Sequence, residues 1–143
     1  KVVNASAIDW TQTNINNFHI RQKPGAGNAL GQVKFLFPNE HDVYLHDTPS
    51  KSLFSRSFRA YSHGCVRVEN PMEFADALLK LEPSMNARTL EAAFGDKERW
   101  FNLTTRIPVH ISYFTLRVDA DGTIRSYGDV YGMNERLKEL LAK

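Results

Sequence analysis

The chain has 143 residues, of which 42% are hydrophobic and 24% are charged, and its formal net charge is +2. This length suits one folded domain, and so mild a charge argues against a nucleic-acid partner. No apolar run approaches the ~18 residues that a membrane-spanning helix needs. No signal peptide is visible. The chain begins with Lys1 rather than Met, which leads us to expect a processed product or a fragment.

The first strands are predicted between Gln32 and Leu45. Apolar and polar residues alternate there, and Pro38-Asn39-Glu40 has the composition of a turn between two strands. In the second strand, Tyr44 and His46 are two residues apart and therefore share one face. The pattern predicts that the imidazole of His46 leaves the sheet beside a tyrosine ring.

A basic run follows, from residue 51 to residue 67, and it contains no acidic residue. Its cationic residues are Lys51, Arg56, Arg59 and Arg67. Such a run is usually a solvated loop, but this one leads directly to a histidine and a cysteine. A positive field at that point would favour a thiolate and attract substrates that carry carboxylates.

The chain is organised around the stretch Tyr61 to Val68, which contains the only cysteine, Cys65. In an extended backbone His63 and Cys65 would lie on one face, and an adjacent imidazole can convert a thiol into a thiolate near neutral pH. Gly64 between them allows a carbonyl group to approach closely because it has no Cβ. The polar neighbours favour a reactive thiol over a buried core cysteine, which is the more common role of a lone Cys.

The remaining chain is predicted to alternate helices with a hairpin. A helix begins at Asn70-Pro71 and closes at Glu82-Pro83, a second spans residues 86–94, and a terminal helix covers residues 134–141. Residues 107–118 form the best long strand, and Asp121-Gly122 turns it into a hairpin. Strands, then helices, then a hairpin favour an α+β or mainly β fold over a βαβ arrangement.

Three kinds of site can be built from these residues. In the first, Cys65 is a nucleophile with His63 as its base, and the oxyanion takes hydrogen bonds from backbone N–H groups or from Tyr44. The second is a metal site, which the spacing of His41 and His46 only faintly suggests, with His63 and Cys65 as further ligands. The third is a non-catalytic module that uses the basic run as a ligand surface.

The block Ser62-His63-Gly64-Cys65-Val66-Arg67, with His46 placed so that fifteen residues separate it from Ser62, resembles the signature of the L,D-transpeptidase (YkuD-like) catalytic domain. The similarity extends over most of the chain, including Asn28–Gly31 and Tyr44–Pro49, and is closest to the YcbB-type subgroup. Asp47 departs from the glycine that many relatives carry there, which affects the polarity of the pocket more than the mechanism.

The resemblance implies a role for each residue of the block. Cys65 would be the nucleophile, His63 its base, and Gly64 part of the oxyanion hole. Four further residues would contact the substrate: His46, Tyr44, Arg67 and Ser62. No metal or other cofactor is implied.

The resemblance also implies a fold and a reaction. The fold would be a β-sandwich with helices, of α+β class, in a single catalytic domain over residues 1–143. This domain would be the C-terminal part of a longer protein, with its opening strands preceding Lys1. The enzyme would cross-link stem peptides of peptidoglycan in the periplasm or cell envelope of a bacterium, and carbapenems would acylate Cys65. Hydrolysis of the same bond, an L,D-carboxypeptidase activity, stays open as an alternative.

Overall fold

The computed structural model describes residues 3–95 and 97–142. Its strands are β1 (Lys34–Phe35), β2 (Leu45–His46), β3 (Val66–Arg67), β4 (Leu116–Val118) and β5 (Ile124–Ser126). Its α-helices are α1 (Pro71–Leu79), α2 (Ala87–Glu91) and α3 (Met133–Leu141), and short 3₁₀ turns cover Ala5–Ala7, Ile15–Asn17 and Lys51–Ser55. Helices accompanied by two small sheets confirm the predicted α+β class.

The first sheet has the strand order β1-β2-β3, with β2 in the centre. β1 runs antiparallel to β2, with Lys34 opposite His46, which confirms the strand pair predicted on either side of residues 38–40. β3 runs parallel to β2, with Leu45 beside Val66 and His46 beside Arg67. The chain therefore leaves β2, crosses through residues 47–65 and returns beside it in the same direction.

Helix α1 contacts this sheet through one aromatic pair. Pro71 occupies its first turn, as predicted, because proline lacks the N–H that a helix start leaves unpaired. The ring of Phe74 packs edge-on against Phe35 of β1, with ring centroids 4.8 Å apart. Ala75 and Leu79, on the same side of the helix, are the two buried hydrophobic residues of the described chain. The small apolar core thus lies along α1, which also contacts α2.

The second sheet is the hairpin β4-β5, which turns through Gly122 at a φ of +83° as the Asp-Gly pair predicted. The predicted long strand over residues 107–118 is wrong for most of its length, because only Leu116–Val118 is paired. Residues 107–114 are assigned to neither helix nor strand, since a strand needs a neighbour for its backbone N–H and C=O groups. The helices predicted over residues 86–94 and 134–141 are both present, but the first covers only Ala87–Glu91, while the second begins one residue earlier, at Met133.

A buried carboxylate connects the two halves of the chain. Glu82, at the end of α1, accepts hydrogen bonds from the Thr104 hydroxyl at 2.7 Å and from the Thr105 N–H at 2.8 Å. These bonds hold the carboxylate ionised and lower its pKa. No helix among residues 3–95 and 97–142 is long and apolar enough to cross a membrane.

Candidate active site

The parallel pairing of β2 and β3 brings the predicted site residues onto one face. The N–H of Val66 donates to the carbonyl of Tyr44, and the register that follows sets Tyr44 beside Cys65 and His46 beside Arg67. Alternate residues of a strand share a face, so all four side chains point to the same side of the sheet. The rings of Tyr44 and His46 lie edge to face, with centroids 5.8 Å apart. One face therefore carries a thiol, an imidazole, a phenol and a guanidinium.

An open cavity of about 440 Å³ lies over the thiol. Its lining residues are His41, Asp42, Val43, Tyr61, Ser62, His63, Gly64, Cys65 and Arg67. The structure thus brings the predicted residues of the Ser62–Arg67 block together around one cavity, while Tyr44 and His46 lie beside it on the sheet. This volume suits a small ligand or a short segment of a peptide.

The segment before the nucleophile is a bend rather than a strand. Residues 62–64 turn, β3 begins only at Val66, and the extended conformation expected for His63 and Cys65 is not observed. The Ser62 hydroxyl donates to the Cys65 carbonyl at 2.6 Å, which closes this bend. A Cβ on Gly64 would lie 3.3 Å from a methyl group of Val43, a contact tighter than most, so the bend passes close to this residue.

A turn that sequence reasoning used only as a strand connection forms one wall of the cavity. Asn39 holds it through four hydrogen bonds: its amide NH₂ donates to the carbonyls of Phe37 and Val43, and its oxygen accepts from the N–H groups of His41 and Val43. Asp42 adopts a left-handed φ of +52° there, and its carbonyl lies 4.0 Å from the Cys65 sulfur. The sequence signal for this wall was the asparagine within a predicted turn.

The Tyr44 hydroxyl is perturbed by its surroundings. Partial burial, followed by the neighbouring Cys65 side chain, raises the pKa of Tyr44, while the charge of Lys34 acts weakly in the opposite direction. The phenol is therefore protonated at neutral pH and remains a hydrogen-bond donor beside the sulfur. The role of oxyanion donor considered for Tyr44 stays a prediction.

His46 is buried and held by the residue that follows it. Its Nδ1 lies 2.5 Å from the backbone carbonyl of Asp47, and the residue is only 5% exposed. A carbonyl oxygen can only accept, so Nδ1 carries the proton of the neutral ring and Nε2 is left as the basic atom. His63, in contrast, is exposed at the cavity wall.

The Asp47 side chain is the centre of a buried polar cluster behind His46. Its carboxylate accepts from the N–H of Gln32 at 2.9 Å and from the Lys51 ammonium at 2.7 Å. Burial acts to raise the pKa of Asp47, but the hydrogen bonds from Lys51, Gln32 and Thr48 outweigh it and lower the pKa. Gly31, at a φ of +64°, passes so close that a Cβ there would overlap this side chain.

One cation of the basic run is paired within the fold, and the positive field predicted for the run stays a prediction. The Lys51 ammonium is neutralised by Asp47 and also donates to the carbonyls of Val68 and Glu69, so its charge serves the fold. Arg67 lines the cavity, and no carboxylate of the described residues lies within 4.0 Å of its guanidinium. Arg67 is therefore the cation of the run that faces a ligand.

The metal-site alternative finds no ligand set in the part of the chain that the structure describes. There, no three His, Cys, Asp or Glu side chains converge on one point.

Comparison with known proteins accounts for the constellation. The YkuD family profile, described as the L,D-transpeptidase catalytic domain, matches residues 3–111. A protein of Haemophilus influenzae named "Putative L,D-transpeptidase" is 36% identical over 137 residues, which cover 95% of this chain and 28% of that protein. The chain thus spans little more than a quarter of the length of this relative. A match over most of the chain shows that it belongs to the YkuD family of L,D-transpeptidase catalytic domains.

Proposed function

We propose that the protein is a cysteine-dependent L,D-transpeptidase that forms peptidoglycan cross-links. The donor is a tetrapeptide stem, and the acceptor is the side-chain amine of a second stem. The observation that carries the proposal is the cavity over Cys65, which His63 and Arg67 line, while Tyr44 and His46 lie beside it on the same face of the sheet. This set matches what acyl transfer through a thioester needs: a nucleophile, a base, an oxyanion donor and a cation for a substrate carboxylate.

The reaction has two half-steps. A histidine takes the proton of the Cys65 thiol, the sulfur attacks the carbonyl carbon at the L-centre of the diamino acid, and the C–N bond to the terminal D-alanine breaks. The imidazolium returns its proton to the leaving amine. The acceptor amine then attacks the thioester, gives its proton to the imidazole and displaces the sulfur. Backbone N–H groups around Gly64 and the Tyr44 hydroxyl stabilise the oxyanion in both half-steps.

The base is one of two imidazoles. The resemblance assigns this role to His63, which lines the cavity with the thiol. The hydrogen bond between Nδ1 of His46 and the Asp47 carbonyl favours His46, because it fixes the tautomer and orientation that a general base requires. We assign the base to His46 and assign His63 to the wall that contacts substrate. Ser62 supports the nucleophile through its bond to the Cys65 carbonyl.

Acylation by imipenem, a carbapenem, tests the nucleophile and the base together. The wild type should gain the mass of one inhibitor, and Cys65→Ala should gain none. His46→Ala should slow acylation by a factor of about 10²–10⁴, the usual range for loss of a general base, while His63→Ala should retain more activity. The absence of an adduct on the wild type, or an equal adduct on Cys65→Ala, contradicts the proposal.

The acceptor decides between transpeptidase and carboxypeptidase. Incubation with tetrapeptide muropeptides should yield cross-linked dimers, and the yield should rise when a second stem is added. Tripeptide products without dimers would instead show that water is the acceptor. We place this activity in the periplasm or cell envelope, where the substrate occurs, and we assign the chain to the YcbB-type subgroup on the strength of the similarity over Asn28–Gly31 and Tyr44–Pro49.

A further inference from the structure

The pair formed by Asp47 and Lys51 lies directly behind His46, outside the cavity that the substrate would enter. The buried residues of the chain include three consecutive polar ones: His46, Asp47 and Thr48. Polar groups are buried only when their hydrogen bonds are satisfied, and every such side-chain atom in the described residues has a partner. This arrangement indicates that specific hydrogen bonds hold these residues in place below the sheet.

The Asp47 residue is held at three points. Its N–H donates to the carbonyl of Val33 at 2.9 Å, one carboxylate oxygen accepts from the N–H of Gln32, and the other accepts from Lys51. The fourth polar group of the residue is its carbonyl, which accepts from Nδ1 of His46. The direction of that carbonyl, and with it the orientation of the imidazole, is set by the three other bonds.

The ion pair between Lys51 and Asp47 closes a short loop of the chain. Residues 47 and 51 are four apart, and the Asp47 carbonyl belongs to the segment that the ion pair spans. The ammonium also donates to the carbonyls of Val68 at 3.2 Å and Glu69 at 2.6 Å, immediately after β3. One cation therefore ties the segment that orients His46 to the strand that follows Cys65.

We propose that Lys51 and Asp47 are positioning residues for the catalytic base: their ion pair holds the Asp47 carbonyl against Nδ1 of His46 and thereby fixes the orientation of the imidazole on the sheet face that it shares with Cys65. Neither side chain lines the cavity over Cys65, so they act through His46 and not on the substrate. This inference rests on the proposed function, because it takes His46 as the base.

The kinetic test uses the full-length protein and imipenem, and separates the maximal acylation rate constant from the half-saturating concentration. Lys51→Met should lower the rate constant at least tenfold and change the half-saturating concentration less than twofold, whereas Lys51→Arg should stay within threefold of wild type. The matched control is Lys80→Met, which removes another lysine four residues after an aspartate, Asp76, on an exposed helix face. An unchanged rate constant in Lys51→Met, or an equal loss in Lys80→Met, overturns the proposal.

A second measurement observes His46 itself. In ¹⁵N-histidine-labelled wild-type protein, the Nδ1 proton should give an exchange-protected downfield signal, identified by its loss in His46→Gln. Lys51→Met should lose that signal while the thermal unfolding transition persists, and Lys80→Met should keep it. If Lys51→Met does not fold, Asp47→Asn carries both measurements, with the same losses expected. A folded variant that keeps the signal overturns the proposal.

The two measurements also separate this inference from the proposed function. A wild-type protein that imipenem does not acylate would refute the cysteine mechanism, yet the histidine signal would still report on the positioning. A wild type that is acylated, with a Lys51→Met variant that is acylated as fast, refutes the positioning alone.

Discussion

The segment around His46 and the segment from residue 107 onward differ in burial, and the difference is the opposite of what their hydrophobicity predicts. His46, Asp47 and Thr48 are polar and buried, whereas the apolar Ile111, Phe114 and Leu116 are more than half exposed. The polar segment is covered because β1, β3 and the 31–33 segment all surround it. The apolar segment pairs with β5 at its end, and Tyr113 and Thr115 contact residues 129–134, but these neighbours leave its apolar side chains exposed. In these two segments, the burial of a residue therefore depends more on how many other segments surround it than on whether its side chain is polar or apolar.

The largest effect is expected from closing the space around Asp47. Gly31→Ala combines a left-handed φ with direct overlap of the Asp47 side chain. These terms cost about 1–2 kcal/mol and about 1–3 kcal/mol, so the free energy of unfolding should fall by about 4 kcal/mol. Chemical denaturation measures this. Gly27→Ala is the matched control, since nothing lies near its missing Cβ; equal losses in the two variants would contradict the crowding.

Truncating one apolar side chain that neighbouring chain covers and one from the exposed segment tests whether coverage decides the cost. Leu79→Ala removes a buried residue of the α1 core and should lower the free energy of unfolding by about 3 kcal/mol. Phe114→Ala removes a larger side chain that is 73% exposed and should cost less than about 0.5 kcal/mol. Both are measured by denaturation of the 143-residue chain. A Phe114→Ala loss as large as that of Leu79→Ala would show that another surface covers this residue.

The turn that forms the cavity wall should be sensitive at one residue. Asn39→Ala removes four hydrogen bonds, and because the turn is exposed we expect a loss of about 2 kcal/mol. Asn14→Ala, which removes a single side-chain bond to a 3₁₀ turn, should cost less than about 1 kcal/mol. Thermal unfolding of the two variants checks the difference. If Asn39→Ala is at least as stable as Asn14→Ala, contacts other than those of Asn39 hold the cavity wall.

The smallest effect is the acid dependence of the buried cluster. Because hydrogen bonding lowers the pKa of Asp47 below its unfolded value of about 3.9, its contribution to stability is complete above that value. It is lost as the pH falls through the lower, folded value. Between pH 7 and pH 3, the stability of Asp47→Asn should fall less than that of the wild type. Asp76→Asn, on the exposed pair, serves as the control; a wild-type slope in Asp47→Asn would contradict the prediction.

Local sequence signals predicted most of the elements that position the site. Asn70-Pro71 marked the start of α1, Asp121-Gly122 marked the hairpin, and Pro38-Asn39-Glu40 marked the turn between β1 and β2. These predictions were confirmed because capping and turn chemistry depend on residues only a few positions apart. The long strand over residues 107–118 failed because its pairing depends on a distant partner that its own pattern cannot specify.

The sequence by itself determined the chemistry: one thiol, a histidine two residues before it, and a second histidine at the spacing found in the YkuD family. Only the tertiary structure decided how these groups meet. The parallel register of β2 and β3 sets Tyr44 beside Cys65, and the bend at residues 62–64 replaces the expected extended strand. The bond from His46 to the Asp47 carbonyl was equally unpredictable, because it depends on Lys51, Gln32 and Val33 converging from separate segments. Residue types state which reactions are available, but the orientation of a base is set by contacts between residues that are distant in sequence.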